Sequence, residues 1–199
     1  MKPIEAKDIA EKTLSAQRYH HTECVAAAAK QLAKHFGENE QKAEIAGYLH
    51  DIVKEFPKGD LLQMIGRSDI IELDTIIDIP SVWHGYAGGI YVKETFGLDD
   101  EIADAVSYHT TARKGMSKLE KIVYIADCIS TDRTYEDNEE IWELVFSGEG
   151  TEALLDRVSL TLIERQLSRL IANRRPIDIN SIKAYNELSR KIKALGEDT

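Results

Sequence analysis

The sequence predicts an all-α protein, a bundle of roughly seven to nine helices. Long segments rich in Ala, Glu, Lys and Leu repeat apolar residues at spacings of three and four, the period of an amphipathic helix. Only 4 prolines and 12 glycines interrupt the 199 residues. The β-branched stretch at residues 71–77 is the one place that suggests a strand, and its isolation argues against a sheet. The length predicts a single domain over residues 1–199.

The N-terminal half is predicted to contain two long helices. The first segment, Pro3–Phe36, contains no proline or glycine after its first residue and stops at Gly37, a residue that favours helix ends. The second, Asn39–Phe56, has an asparagine cap and precedes Pro57, which disfavours helix in the residue before it. Residues 60–80 are less regular and could form short helices.

Five further patterns favour helices in the rest of the chain. Residues 81–97 end at a glycine, and residues 99–109 start at an aspartate. Ser117–Glu120 is a capping box in front of an apolar run, which makes it the clearest helix start in the sequence. Residues 151–172 have helical periodicity, a proline-containing segment interrupts it, and residues 181–195 resume it.

The charge balance excludes several classes of partner. With 35 acidic and 25 basic side chains the formal charge is −10, so the mean field repels nucleic acid polymers and anionic membranes. There is no signal-peptide pattern and no apolar run long enough to span a bilayer. The two cysteines, Cys24 and Cys128, suit a reducing cytoplasm, where we expect the protein to act. The sequence leaves a homodimer open.

Several polar residues fall on helix faces that are otherwise apolar. An apolar stripe that includes Val25, Leu32 and Phe36 extends backwards by helical steps to His21, whereas His20 lies on a polar face. His50, His84, His109 and Asp127 fall on inward faces in the same way, and Asp51 follows His50 directly. A buried ionised aspartate is costly unless it is paired or binds a metal.

Each of these residues alone has a structural interpretation, because a lone inward histidine is more often a hydrogen-bonded core residue than a ligand. One shared metal centre explains all of them together. Imidazole and carboxylate donors suit Fe, Mn, Zn or Ni, and the lack of a cysteine cluster argues against a structural zinc site.

The order of His21, His50-Asp51 and Asp127 resembles the HD-domain superfamily of metal-dependent phosphohydrolases. The sequence around these residues is similar to that of the bacterial YqeK-like family of symmetrical diadenosine tetraphosphate hydrolases. The segments that carry this resemblance are RYHHT at 18–22, AGYLHDIVKE at 46–55, WHG at 83–85, YHTT at 108–111, GMSKLEKIVYIAD at 115–127, and RPI…AYN near 175–186.

The resemblance implies an HD fold with a metal-binding core at about residues 15–135 and C-terminal helices at about 150–196 packed on it. It implies iron at the metal site and cleavage of diadenosine tetraphosphate to two ADP. The implied metal ligands are His21, His50, Asp51 and Asp127. The chain departs from the family after Asp127: the family carries a Glu-Pro-Gly-Arg-like loop, and this chain has Ile-Ser-Thr-Asp-Arg-Thr at 129–134, which keeps a basic residue at Arg133.

Hydrolysis needs a nucleophilic water and a phosphorus whose negative charge is partly neutralised, and a divalent metal supplies both. We expect Asp51, His84 and His109 to be catalytic. His84 and His109 could hold a second metal with Asp51 bridging, could contact the phosphates, or one of them could protonate the departing ADP.

Three cations near the expected ligands are candidates for binding substrate phosphates, together with His84 and His109. Lys54 lies one helical turn beyond His50, Arg133 lies six residues past Asp127, and Arg18 lies three residues before His21. The structural alternative for each cation is a solvated surface charge.

Three rival functions stay open at this point. One is another HD phosphohydrolase, acting on nucleoside triphosphates, nucleoside monophosphates or cyclic nucleotides. The second is an HD-type di-iron oxygenase. The third is a non-catalytic nucleotide-binding regulator, whose signature would be a damaged ligand quartet, and the quartet here is intact.

Overall fold

The computed structural model describes residues 1–68, 71–132, 138–194 and 196, and all regular secondary structure in these residues is helical. A short 3₁₀ turn lies at Leu73–Thr75. The helices are α1 Pro3–Thr13, α2 Ala16–Phe36, α3 Glu40–Leu49, α4 Lys58–Ile65, α5 Trp83–Phe96, α6 Asp100–Tyr108, α7 Lys118–Ile129, α8 Asn138–Phe146, α9 Glu152–Ala172 and α10 Ile179–Ala194.

The predicted count of seven to nine helices is wrong, because the described residues form ten α-helices. The segment expected as one run from Pro3 to Phe36 is divided at Ser15, whose backbone is extended, with ψ 154°. The backbone N–H and the hydroxyl of Ser15 donate to Glu55 at 2.8 and 2.7 Å. A bond to a residue 40 positions away is invisible to local periodicity. The short helix α8 was not predicted at all.

The second predicted helix ends earlier than expected. Its start is confirmed, since the Asn39 side chain accepts from the backbone N–H of Lys42 at 3.0 Å. Its α-helical part stops at Leu49, and the following residues form turns in which the N–H of Lys54 donates to the carbonyl of Asp51 at 2.9 Å. His50 and Asp51 therefore lie just past the end of α3.

Several local signals are confirmed. At α7, the backbone N–H of Glu120 donates to the Ser117 hydroxyl at 3.2 Å, and Glu120 accepts from the Ser117 N–H at 2.7 Å. Gly37 and Gly97 end α2 and α5 with φ of 64°, a left-handed conformation that glycine adopts without a side-chain penalty. At 71–77 the described backbone makes the 3₁₀ turn and not a strand.

Helix α7 lies at the centre of the molecule. It packs against α2, α6 and α9, and residues 119–126 are buried throughout. The C-terminal helix α10 packs against α9, which in turn covers α7. None of the described helices has the length and apolarity needed to cross a bilayer.

Candidate metal centre and pocket

Three helices and two helix ends bring the inward histidines and aspartates together. His21 comes from α2, His84 from the first turn of α5 and Asp127 from α7, while His50 and His109 directly follow the last residues of α3 and α6. The four histidines and Asp51 are each at most 6% exposed. Side chains this polar are rarely buried to this extent unless they have partners.

The first donor group consists of His21, His50 and Asp127, whose potential ligand atoms lie within 4.8 Å of one another. His21 Nε2 lies 3.0 Å from Asp127 Oδ1. His50 Nε2 lies 3.9 Å from the same oxygen and 3.7 Å from Asp51 Oδ2. The structure thus brings all four residues of the predicted quartet into one cluster.

A second donor group consists of His50, Asp51 and His109 and shares His50 with the first. His109 Nε2 lies 3.6 Å from Asp51 Oδ1, and His84 Nε2 lies 3.1 Å from the same oxygen. The Nε2 atoms of His84 and His109 are 3.2 Å apart. Asp51 therefore lies between the quartet and the two additional histidines.

Hydrogen bonds to Nδ1 fix which nitrogen of each ring can bind a metal. His50 Nδ1 lies 2.7 Å from the carbonyl oxygen of Gly47, and His109 Nδ1 lies 2.7 Å from that of Val106. A carbonyl oxygen only accepts, so Nδ1 carries the proton and Nε2 keeps its lone pair. Both Nε2 atoms face the carboxylates.

Burial sets the protonation states that a metal centre needs. It lowers the pKa of His50 and of His84 to about 4, although the Asp51 carboxylate opposes this. Burial raises the pKa of Asp51, but His50, His109 and His84 outweigh it and hold that pKa well below the usual value. Near pH 7, His50 and His84 are neutral donors and Asp51 is an anion.

The His50 ring tests whether a cation fits the cluster. His50 Nε2 is buried and has no hydrogen-bond partner among the described residues, since the nearest carboxylate oxygens are 3.7 and 3.9 Å away. Leaving a buried polar atom unsatisfied costs about 1–3 kcal/mol. A divalent metal bound by neutral imidazoles and carboxylates would satisfy it, so the donor set fits such an ion.

Two of the three predicted cations lie at the cluster. Arg18 Nη1 lies 2.9 Å from Asp51 Oδ2. Lys54 Nζ lies 2.8 Å from His84 Nε2 and 3.6 Å from Asp51 Oδ1, and burial lowers the pKa of Lys54. Both side chains are therefore partly buried and contact residues of the cluster. Arg133 lies outside the described residues.

Four residues of the cluster, Asp51, His84, His109 and Asp127, line a cavity of about 550 Å³. Another part of the wall comes from α9, which no sequence motif connected to the site. The α9 residues that line the cavity are Leu162, Arg165, Gln166 and Arg169. Their spacings of three and four, which place them on one face of the helix, are the signal that could have identified them.

Gln166 and Thr110 attach this wall to the histidines. The Gln166 amide donates to the Thr110 carbonyl at 3.0 Å and accepts from the Tyr124 hydroxyl at 3.0 Å. The Thr110 hydroxyl lies 3.1 Å from His109 Nε2 and 3.3 Å from His84 Nε2. The position of α9 is therefore tied to the donor groups.

Comparisons with known proteins agree with this geometry. Residues 18–132 match the model of the HD domain. The chain is 33% identical to a symmetrical bis(5'-nucleosyl)-tetraphosphatase of Bacillus subtilis, over 92% of this chain and 96% of that protein. It is 32% identical to a protein of the same name from Halalkalibacterium halodurans, over 88% and 90%. A crystal structure from Clostridium acetobutylicum, titled a "predicted HD superfamily hydrolase involved in NAD metabolism", superposes with a TM-score of 0.85 at 30% identity, over 94% of this chain and 96% of that one.

Proposed function

The chain belongs to the HD-domain family and, within it, to the symmetrical bis(5'-nucleosyl)-tetraphosphatases, and from this membership we propose that it hydrolyses diadenosine tetraphosphate to two ADP. It is an enzyme, a hydrolase of phosphoric anhydrides, and its substrate is a small nucleotide. The observation that carries the proposal is a buried cluster of histidines and aspartates beside a cavity that is also lined by cations.

Membership of the HD family implies a divalent metal. We propose that His21, His50, Asp51 and Asp127 hold it and that the ion is iron, with Mn, Zn or Ni also compatible with these donors. A bound divalent ion lowers the pKa of its water ligand and polarises phosphoryl oxygens. A second ion would draw on Asp51 and His109, because the one unprotonated nitrogen of His50, Nε2, can bind a single ion.

His84 differs from the other histidines because its ring lies beside the Lys54 ammonium group. Lys54 Nζ is 2.8 Å from His84 Nε2, so a proton can pass between the ammonium group and the ring. We propose that this pair protonates the leaving oxygen of ADP. Burial lowers the pKa of Lys54, which makes its ammonium group the proton source of the pair, since His84 is neutral near pH 7.

The tetraphosphate chain needs cations along its length. Arg18 and Lys54 stand beside Asp51 on one side of the cavity, and Arg165 and Arg169 line the α9 side. Charge-assisted hydrogen bonds from such groups to phosphate are the strong ones. We propose that all four bind phosphate oxygens, and Arg133 stays a prediction for the same role.

The active unit extends beyond the HD match. That match ends at residue 132, whereas α9 provides a wall of the cavity. We therefore propose that residues 1–199 act as one HD domain, with a core at about 15–135 and C-terminal helices that complete the pocket. A cytoplasmic location, the absence of a polymeric nucleic acid or membrane partner, and a homodimer stay predictions.

Product analysis tests the function. Purified protein loaded with Fe²⁺ is incubated with diadenosine tetraphosphate and the products are separated by chromatography, with chelator-treated protein as the control. We expect ADP as the sole product. AMP plus ATP would contradict symmetrical cleavage, and no turnover of any dinucleoside polyphosphate would favour one of the rival HD functions.

A further inference from the structure

Asp132 contacts the metal-facing histidine of α2 from the side opposite to the cluster. Its Oδ2 lies 2.7 Å from His21 Nδ1, across 111 residues of sequence. The His21 side chain is 8% exposed and that of Asp132 is 19% exposed, so the contact is shielded from solvent. Asp132 lies in the segment after α7, where the sequence departs from the Glu-Pro-Gly-Arg-like loop of the family.

The partner of His21 differs in kind from those of the other two histidines of the donor groups. His50 and His109 each face a backbone carbonyl three residues earlier in the chain, Gly47 and Val106, at 2.7 Å. Those bonds are built into the ends of α3 and α6. His21 instead uses a charged side chain from a distant segment, and a carboxylate both orients an imidazole and makes it a stronger electron donor to a metal.

Both nitrogens of His21 face carboxylates, at unequal distances. Nδ1 lies 2.7 Å from Asp132, and Nε2 lies 3.0 Å from Asp127 Oδ1. Each carboxylate can accept an N–H, and an ion bound at Nε2 would take the place of a proton there, so the single ring N–H of the metal-bound form is the one on Nδ1 that faces Asp132. With the proton on Nδ1, the Nε2 lone pair is turned towards Asp127, where the donor group of His21, His50 and Asp127 would hold an ion.

We propose that Asp132 is a positioning residue: it holds the proton of His21 on Nδ1 and fixes the ring so that Nε2 can bind the metal. The inference rests on the proposed role of His21 as a ligand. It assigns a function to a residue outside the proposed ligand quartet.

Metal affinity in two variants tests the inference. Asp132→Ala removes the carboxylate, and Asp132→Asn keeps an oxygen that can accept from Nδ1–H. The dissociation constant for Mn²⁺ is measured by chelator competition. We expect Asp132→Ala to weaken binding roughly 10- to 100-fold and Asp132→Asn to weaken it less. The control is Asp100→Asn, which removes the same charge from an exposed ion pair with Lys93 and should leave the affinity unchanged.

A second measurement separates positioning from a merely structural role. In Co²⁺-substituted protein, the ring N–H of a bound histidine gives a paramagnetically shifted proton signal, and that of His21 should exchange faster with solvent in Asp132→Ala. The melting temperature of the metal-free protein should change little. An Asp132→Ala variant that binds Mn²⁺ within twofold of the parent overturns the inference.

His21→Ala distinguishes failure of this inference from failure of the proposed ligand set. If His21→Ala keeps its metal, the proposed quartet is wrong and the role of Asp132 falls with it. If His21→Ala loses metal while Asp132→Ala binds as the parent does, the quartet stands and only the inference about Asp132 is wrong.

Discussion

His21 and His20 are adjacent in the sequence and opposite in environment, which makes them a matched pair for mutation. His21 is buried against Asp127 and Asp132, whereas His20 is exposed and contacts Cys24 Sγ at 3.9 Å. We expect His21→Ala to lose bound metal and hydrolysis together, and His20→Ala to keep both. Metal content by elemental analysis and ADP release are the measurements. Equal metal content in the two variants would contradict the ligand set.

Lys54 is placed to act on substrate without holding the metal. Lys54→Ala removes an ammonium group 2.8 Å from His84 Nε2 and leaves the donor groups intact. A hydrogen bond to a charged group is worth about 1.5–3 kcal/mol, so we expect kcat/KM to fall roughly 10- to 100-fold while metal stays bound. Lys58→Ala, on the exposed start of α4, is the control. Unchanged kinetics in Lys54→Ala would show that Lys54 does not act on the substrate.

At the scale of single residues, the helical period located His21, His84, His109 and Asp127 because each lies on a regular helix face or at its end. The same argument could not locate Asp132, which follows α7 and meets His21 only through the tertiary fold. Arg165 and Arg169 were missed for another reason. A basic residue on an amphipathic helix is usually solvated, and only the packing of α9 over α7 shows that their face covers a cavity.

At the scale of helices, the local sequence specified where helices begin better than where they end. Asn39, Asp99, Ser117 and Thr151 each cap a helix as their side chains allow. The break at Ser15 depends on Glu55, a partner 40 positions further along the chain, and so lay beyond periodicity. The break after Leu49 places His50 and Asp51 where a continuous helix would not.

The α9 wall gives a prediction about one helix. Arg165→Ala and Arg169→Ala remove cations from the cavity lining without touching the donor groups. We expect KM for diadenosine tetraphosphate to rise roughly tenfold for each, since a charged hydrogen bond contributes about 1.5 kcal/mol or more. The control is Arg157→Ala, on an exposed part of α9 outside the cavity lining, which should leave KM unchanged. KM is measured by steady-state kinetics at fixed metal loading. An unchanged KM in both Arg165→Ala and Arg169→Ala would contradict a role of α9 in binding substrate.

For the whole molecule, the formal charge of −10 and a polyphosphate substrate are compatible because the field differs locally. The cavity gathers Arg18, Lys54, Arg165 and Arg169 around two aspartates, and the metal adds positive charge. An acidic exterior with a cationic cavity disfavours polymers, which need a broad basic surface, and admits a small nucleotide.

Burying neutral histidines makes the stability of the whole metal-free protein depend on pH. The pKa of His50 and His84 is about 4 in the folded protein and 6.5 in an unfolded chain, so the unfolded state binds more protons between these values. The free energy of unfolding should therefore fall as the pH is lowered from 6.5 towards 4, by a few kcal/mol for the two histidines together.

Urea unfolding with chelator present, at several pH values between 7.5 and 4.5, measures this slope. Carboxylates elsewhere also titrate in acid, so the informative comparison is with His84→Asn, which cannot be protonated and should show a shallower loss of stability than the parent. Added metal should restore stability near pH 7, by about 2.7 kcal/mol at a hundredfold excess over its dissociation constant. That gain should shrink in acid, because protons compete for the ligand nitrogens. Parallel slopes in the parent and in His84→Asn would contradict the burial of a neutral imidazole at this position.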